Sequence, residues 1–315
     1  MKGALLVGID DYHGGNQLKG CVNDATALAD LLAKNEDGTS NFQIELQNNI
    51  KTKGELKKAV TRLFHSDLNV ALFYFAGHGC TTDIGGYIVT PDYGSYDEGI
   101  SMDELLSLCN YSPIKEKIIV LDCCYSGHIG SPHLLGGKAT YLGNGVTVLT
   151  ASGMSETSVE SGGHGLFTLL LLKALEGGAA DIVGNITIGS IYAYIDRSLG
   201  FWQQRPQFKT NVSRFMPLRT TYPSIQPLTV LNTITEFFAE PESVFQLDPS
   251  YEYSNTGVAI EANVQIFKKL QKMQGVGLVI PHDEEHLYWA AQNSKGCKLT
   301  VLGKHYWKLV KENRI

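Results

Sequence analysis

Two apolar runs that each break into a glycine-bearing string constrain this chain more than anything else in it. Val70-Ala71-Leu72-Phe73-Tyr74 leads into Phe75-Ala76-Gly77-His78-Gly79, and Lys117-Ile118-Ile119-Val120 leads into Leu121-Asp122-Cys123-Cys124-Tyr125-Ser126-Gly127. Near-continuous β-branched and aliphatic runs read as strands buried on both faces, the mark of a parallel sheet covered by helices. Such a sheet presents its working side chains at the carboxyl ends of its strands. His78 and Cys124 both stand there, 46 residues apart in sequence. An imidazole and a thiol brought together at neighbouring strand ends can act as base and nucleophile. The glycines beside His78 let backbone approach a bound carbonyl closely, so the N–H groups of Gly79 and Cys124 are the natural donors to an oxyanion.

The rest of the first 220 residues alternates in the same manner. Ala4–Ile9 reads as a central strand. Asn23-Asp24 is expected to open an amphipathic helix with Asp24 as its N-cap, and Thr52 to open another reaching about His65. Gly85–Val89 reads as a small hairpin, Ser101–Cys109 as a short capped helix and Val146–Leu149 as another strand. Leu166–Leu175 and Thr187–Leu199 read as helices, and Arg205–Leu218 as a final extended segment at a sheet edge. The predicted class is α/β, an open, mostly parallel sheet with helices on both faces. A turn-rich stretch with Pro223, Ser224 and Pro227 sets a boundary, giving domains 1–220 and 221–315. The second part, with helical patterns near 263–273, 284–292 and 305–310 around short apolar runs, is expected to form a small winged-helix-like regulatory or interaction module.

Composition narrows the function classes. A formal net charge of -6 argues against a whole-chain grip on nucleic acid. Six cysteines without a CxxC pair suggest reduced thiols in a cytoplasm. The apolar start meets Asp10 and Asp11 too soon for a signal peptide, and no stretch approaches a membrane span. Past Asn263 nine basic residues face four acidic ones, a local excess that a nucleic-acid-binding module would show. Tyr288, Trp289, Tyr306 and Trp307 are expected instead to form the module's small core or a partner surface, which favours a protein-interaction role.

The strings Ala-Gly-His-Gly and Leu-Asp-x-Cys-x-Ser-Gly resemble the caspase clan of cysteine proteases, closest to its metacaspase-like and prokaryotic branches (peptidase C14). A His about fifty residues before the Cys belongs to that pattern. The resemblance extends in order through Ala4–Ile9, Leu18–Ala25, Leu149–Ser152 and Gly165–Thr168, and so covers residues 1 to about 220. It implies a caspase-like fold, with Cys124 as nucleophile and His78 as base in a dyad; Cys123 occupies a position usually filled by a small residue. The local signature differs from the Gln-Ala-Cys-x-Gly of animal caspases, which cleave after Asp. Here Asp122, paired with Asp24, implies an acidic pocket that takes Arg or Lys at P1, with Ser152 as a further lining residue.

The glycine-bearing segment 128–144 sits where caspases are processed, and Lys138 is its one basic residue, so autocleavage after Lys138 is expected. Family analogy also implies a protein or peptide substrate, a sensor or activator partner, and a role in prokaryotic defence or regulated cell death. Calcium activation, as in some metacaspases, would fall to Asp92, Asp97 and Glu98, which lack EF-hand spacing. His282 and His286 stand four apart without an HExxH pattern and are read as a solvated helix end, so no metal is expected. The rival readings are a catalytically silent adaptor of the same fold and a nucleic-acid-binding regulator acting through residues 221–315.

Overall fold

The computed structural model describes residues 1–82, 85–94, 97–125, 141–151, 163–199, 205–226 and 228–315, with the backbone alone for Cys124 and Tyr125. The chain divides into two compact units: Met1–Ala180 with Asn185–Thr221, and Tyr222–Ile315 with the four residues Asp181–Gly184.

The first unit contains, in order, β1 (Lys2–Gly8), α1 (Cys21–Ala33), β2 (Gln43–Asn48), α2 (Lys53–Phe64), β3 (Val70–Thr82), β4 (Gly85–Gly94), β5 (Asp97–Ser101), α3 (Met102–Asn110), β6 (Glu116–Tyr125), β7 (Val146–Thr150), α4 (Leu166–Lys173), β8 (Asn185–Thr187), α5 (Ile188–Ser198), β9 (Gln207–Asn211) and β10 (Pro217–Thr220). The main sheet runs β2-β1-β3-β6-β7-β9. Its pairs are parallel except the last, where β9 lies antiparallel on β7. β4 and β5 extend β3 as an antiparallel arm, and β8 and β10 form a separate pair. The predicted architecture is thus present.

Strand alternation feeds two cores. On one face Leu5, Val7, Phe73, Phe75, Ile119 and Leu121 pack under Leu56, Val60 and Phe64 of α2 and Leu105 of α3. On the other, Leu6, Leu72, Tyr74, Ile118 and Val120 pack under Leu28 and Leu32 of α1, Phe167 and Leu171 of α4, and Ile191 and Ile195 of α5. Each fully buried Leu, Ile or Phe contributes about 1.5–3 kcal/mol. Both faces are therefore fixed, and the register between strands with them.

Local signals set the helix starts. Thr52 forms a reciprocal capping box with Glu55 at α2, and the Ser101 hydroxyl accepts the Glu104 N–H at α3. The expected N-cap of α1 is corrected: the helix starts at Cys21, and its first N–H groups go to Asp10 (Cys21 N to Oδ1 2.9 Å, Val22 N to Oδ2 3.3 Å). Asp24 lies inside the helix, and its carboxylate is released for other work. This joint is tight, since a Cβ on Gly8 would stand 2.2 Å from the Cys21 carbonyl oxygen. Gly8→Ala is therefore expected to destabilise the first unit by about 1–3 kcal/mol through overpacking; a thermal midpoint equal to that of the wild type would contradict it.

The second unit contains α6 (Thr229–Asn232), α7 (Ile234–Phe237), β11 (Val244–Gln246), α8 (Glu261–Gly275), β12 (Val279–His282), α9 (Leu287–Gln292), β13 (Gly296–Leu299) and α10 (Val301–Lys311). Its sheet runs β11-β13-β12, all antiparallel. Phe238, Phe267, Leu270, Leu278, Ala290 and Leu299 form its core, which Ile182 and Val183 join. A winged helix needs two consecutive strands for its wing. Here α8, α9 and the loops between them separate every pair of described strands, so that expectation is replaced by a small helix-covered sheet. Trp307 and Tyr306 are core residues as expected, whereas Tyr288 and Trp289 remain partly exposed in an edge-to-face pair. No described helix is long and apolar enough to cross a membrane.

Candidate active site

The glycine string was expected to end the third strand at His78. Instead β3 runs through it to Thr82, because β4 pairs with it from Gly79 onward. β3 and β6 keep parallel register to their ends, with Ala76 opposite Asp122, Gly77 opposite Cys123 and His78 opposite Cys124. The two candidate catalytic residues are thus direct neighbours on adjacent strands. Gly79 follows, opposite both Tyr125 on β6 and Ile88 on β4.

The His78 ring is oriented by groups that sequence inspection did not single out. Its Nε2 lies 2.7 Å from the backbone oxygen of Asn16. A carbonyl only accepts, so Nε2 carries the proton and donates it, leaving a lone pair on Nδ1. Nδ1 is buried and has no partner among the described residues. That is the tautomer a general base requires. The buried Tyr12 steadies the other side: its hydroxyl accepts the His78 N–H at 3.0 Å and donates to the Val89 oxygen at 3.1 Å, and its ring centroid lies 4.5 Å from the imidazole. Gly77 is required here, as a Cβ would come within 2.5 Å of the Tyr12 hydroxyl. Of the vicinal thiols, Cys123 is a core residue, 2% exposed among Leu121, Ile119 and Phe75.

Asp24 and Asp122 converge. A Cβ built on Gly165 would stand 3.6 Å from Oδ2 of each, so those oxygens lie no more than twice that distance apart. The Thr168 hydroxyl, first turn of α4, donates to Asp122 Oδ2 at 2.6 Å and also meets the Tyr74 hydroxyl at 2.6 Å. Asp24 receives the His164 imidazole on Oδ1 at 2.6 Å and the Gly165 N–H on Oδ2 at 3.4 Å. Burial lifts the Asp122 carboxyl from its ordinary 3.8 to about 6; the Thr168 hydroxyl opposes the rise and the nearby Asp24 charge adds to it. Burial likewise raises Asp24, against the pull of its His164 and Gly165 hydrogen bonds. Among the described residues no lysine or arginine pairs with either acid. Two carboxylates withdrawn from water without a strong cation form a site whose charge an incoming guanidinium or ammonium would relieve.

Ser152 and Lys138 lie outside the described residues. Two of the three acids named for calcium have partners at the start of α2: Asp92 accepts the Lys53 backbone N–H at 3.0 and 3.1 Å, and Asp97 pairs with the Lys53 ammonium at 2.8 Å. His282 ends β12 and His286 caps α9, so they do not share a helix face. Among the described residues no cluster of three or more potential metal ligands occurs.

Comparison with known proteins returns one family: a model described as the caspase domain matches residues 1–216. The crystal structure of caspase-1 from Spodoptera frugiperda is similar at 15% identity with a TM-score of 0.51, over 70% of this chain and 90% of that one. The structure of pro-sf-caspase-1 gives 13% identity and a TM-score of 0.48 over the same shares, 70% and 90%. At such identities the likeness concerns the fold. No curated protein sequence matches this chain.

Proposed function

We propose that this chain, which belongs to the caspase-domain family of cysteine peptidases, cuts proteins after arginine or lysine with His78 as base and Cys124 as nucleophile. The observation that carries the reading is the register of β3 and β6, which sets His78 beside Cys124, with Nε2 tied to the Asn16 carbonyl and Nδ1 left as the basic nitrogen. Nδ1 takes the thiol proton, and the thiolate attacks the scissile carbonyl carbon. As the carbon–sulfur bond forms, the oxyanion takes hydrogen bonds from the N–H groups of Gly79 and Cys124. The same nitrogen returns the proton to the departing amine as the peptide bond breaks, leaving a thioester. Water then gives a proton to Nδ1 while its oxygen displaces the sulfur, which restores the thiol and releases the acid.

Specificity for a basic P1 rests on Asp24 and Asp122; the family resemblance adds Ser152 as a further lining residue. A planar guanidinium can meet both carboxylates, whereas an ammonium offers a single point charge. Calcium has no assigned part in this scheme. Cleavage after Lys138 would separate the two halves of the catalytic unit, a maturation step open to the enzyme's own specificity. The second unit is proposed to couple the peptidase to a sensor or activator in a defence or cell-death system, within a cytoplasm.

A panel of fluorogenic peptides differing only at P1 tests the reading. Arg and Lys peptides are expected to exceed Asp and Leu peptides by roughly a hundredfold in kcat/KM, as two charge-assisted contacts warrant. Preference for Asp, or no preference for a cation, would overturn it.

A further inference from the structure

One residue in the acidic pocket is left without a part in that scheme. The His164 imidazole touches Asp24 and is the more exposed of the two: its side chain is 19% exposed and that of Asp24 only 5%. It is therefore the member of the pair that solvent reaches more readily. Its Nδ1 lies 2.6 Å from Asp24 Oδ1, the short contact of a charge-assisted hydrogen bond. The ring is held by its loop. The Asn23 amide nitrogen donates to the Gly163 oxygen at 2.9 Å and rests 3.2 Å from His164 Nδ1. Gly163 has φ +80, and Gly20 opposite it has φ +108, with a Cβ there only 3.2 Å from the Gly163 oxygen.

We propose that His164 is an internal occupant of the acidic pocket, holding Asp24 in the free enzyme, and that a P1 arginine or lysine binds by displacing it. The proposal rests on the reading of Asp24 and Asp122 as the P1 pocket. The charged and titratable groups around the imidazole are Asp24, which it touches, and Asp122, Asp10, Cys21 and Tyr74 around that carboxylate. Asp10 is committed to the N–H groups that open α1. The imidazole is thus the only nitrogenous side chain on the acid pair among the described residues, apart from the neutral Asn23 amide. Glycines at 163 and 165 flank it, so the ring can swing outward by backbone rotation while α1 and α4 stay in place. Displacement loses one hydrogen bond to a charged group, and a guanidinium supplies stronger ones in return. The loss is the same for arginine and lysine and does not arise for a neutral P1 residue that leaves Asp24 alone. His164 so weakens ground-state binding of every basic substrate without touching the reacting atoms.

The experiment compares the full-length wild type with His164→Ala on peptides carrying Arg, Lys or the neutral isostere citrulline at P1, with agmatine as a small cationic inhibitor. KM for the Arg and Lys peptides and the inhibition constant of agmatine are expected to fall roughly tenfold, as loss of one charge-assisted competitor predicts. Turnover of the bound Arg peptide and all constants for the citrulline peptide are expected to stay put. Added imidazole should raise the variant's KM back toward the wild-type value, which a purely structural role for His164 would not produce. An unchanged or raised KM for the cationic peptides overturns the proposal, because it would make His164 a support for Asp24 and not its competitor. Should His164→Ala fail to fold, His164→Asn is read by the same criteria. A wild type that turns over peptides yet neither prefers Arg to citrulline nor responds to agmatine overturns the pocket assignment itself, and the proposal with it; that result is distinct from a working pocket indifferent to residue 164.

Discussion

Cys124→Ala is expected to abolish peptide hydrolysis, and His78→Gln to lower kcat/KM by roughly a thousandfold or more, as removal of a nucleophile or its base does. The double variant should be no worse than the poorer single one, because a base and the nucleophile it activates act as one device. The argument lies in the pairing of two strands: His78 and Cys124 are opposite one another in the β3–β6 register, and the imidazole keeps its lone pair on Nδ1 because Nε2 is spent on the Asn16 oxygen. His78 is not a member of either hydrophobic core of the first unit, so the thermal midpoint of His78→Gln should move little. Cys123→Ala gives the contrast. That side chain is buried among Leu121, Ile119 and Phe75, so the variant should lose stability and keep turnover. Covalent capture by an Arg-directed electrophilic peptide, followed by mass mapping of the modified cysteine, decides between the two thiols. Modification at Cys123, or turnover surviving in Cys124→Ala, would refute the assignment.

Asp122→Asn is expected to lower kcat/KM for an Arg peptide by roughly a hundredfold, the effect of deleting one side of a buried charge pair, and to leave a citrulline peptide almost untouched. The pH dependence carries the stronger signature. Only the ionised carboxyl pairs with a guanidinium, and burial has lifted Asp122 to about 6. In the wild type the ratio of Arg to citrulline kcat/KM should therefore drop as pH falls through about 6, while titration of the dyad cancels in the ratio. In the variant only the part of this drop that belongs to Asp24, whose carboxyl burial also raises, should remain. Stability moves the opposite way. A carboxyl whose folded pKa is raised from 3.8 to about 6 holds its proton better when folded, so it stabilises below 3.8 and that contribution is lost as pH rises through about 6. The midpoint of Asp122→Asn should accordingly gain on the wild type between those limits as pH rises. A gain that shrinks with rising pH would show the carboxyl to be relieved by a partner.

Most of the architecture could be read from the sequence because buried parallel strands are written as continuous apolar runs, as in β1, β3 and β6, and because Thr52 and Ser101 announce their helices by capping chemistry. The positions of His78, Cys124 and Asp122 were legible for a related reason, since residue type and strand end coincide, whereas the pairing of Asp24 with Asp122 came from the family resemblance. What escaped notice depends on atoms without a residue-type signature. The Asn16 carbonyl orients the imidazole, and any residue could have supplied that oxygen. Tyr12 reads as one more apolar position until its hydroxyl is found bridging His78 and Val89. Thr168 lies within a string already singled out, but its bond to Asp122 needs α4 docked on the sheet to be visible. Asp24 was given to a cap because Asn-Asp before an apolar run is a common opening. The helix begins three residues earlier and draws its cap from Asp10, far enough back in the chain to defeat local reasoning. The winged-helix expectation failed because helix spacing alone does not say which strands are consecutive.

The four residues Asp181–Gly184 belong to the second unit although they are flanked on both sides by the first. Ile182 and Val183 lean on the core built from residues after Tyr222, and the Ser224 N–H reaches the Ile182 oxygen at 3.0 Å. A gene truncated at codon 221 would consequently not yield a trimmed peptidase. It would yield one with two aliphatic side chains stripped of their cover between α4 and β8, prone to stick to whatever apolar surface comes by. In evolutionary terms the appendage is stitched rather than glued: swapping it for another requires rewriting an internal seam as well as the tail.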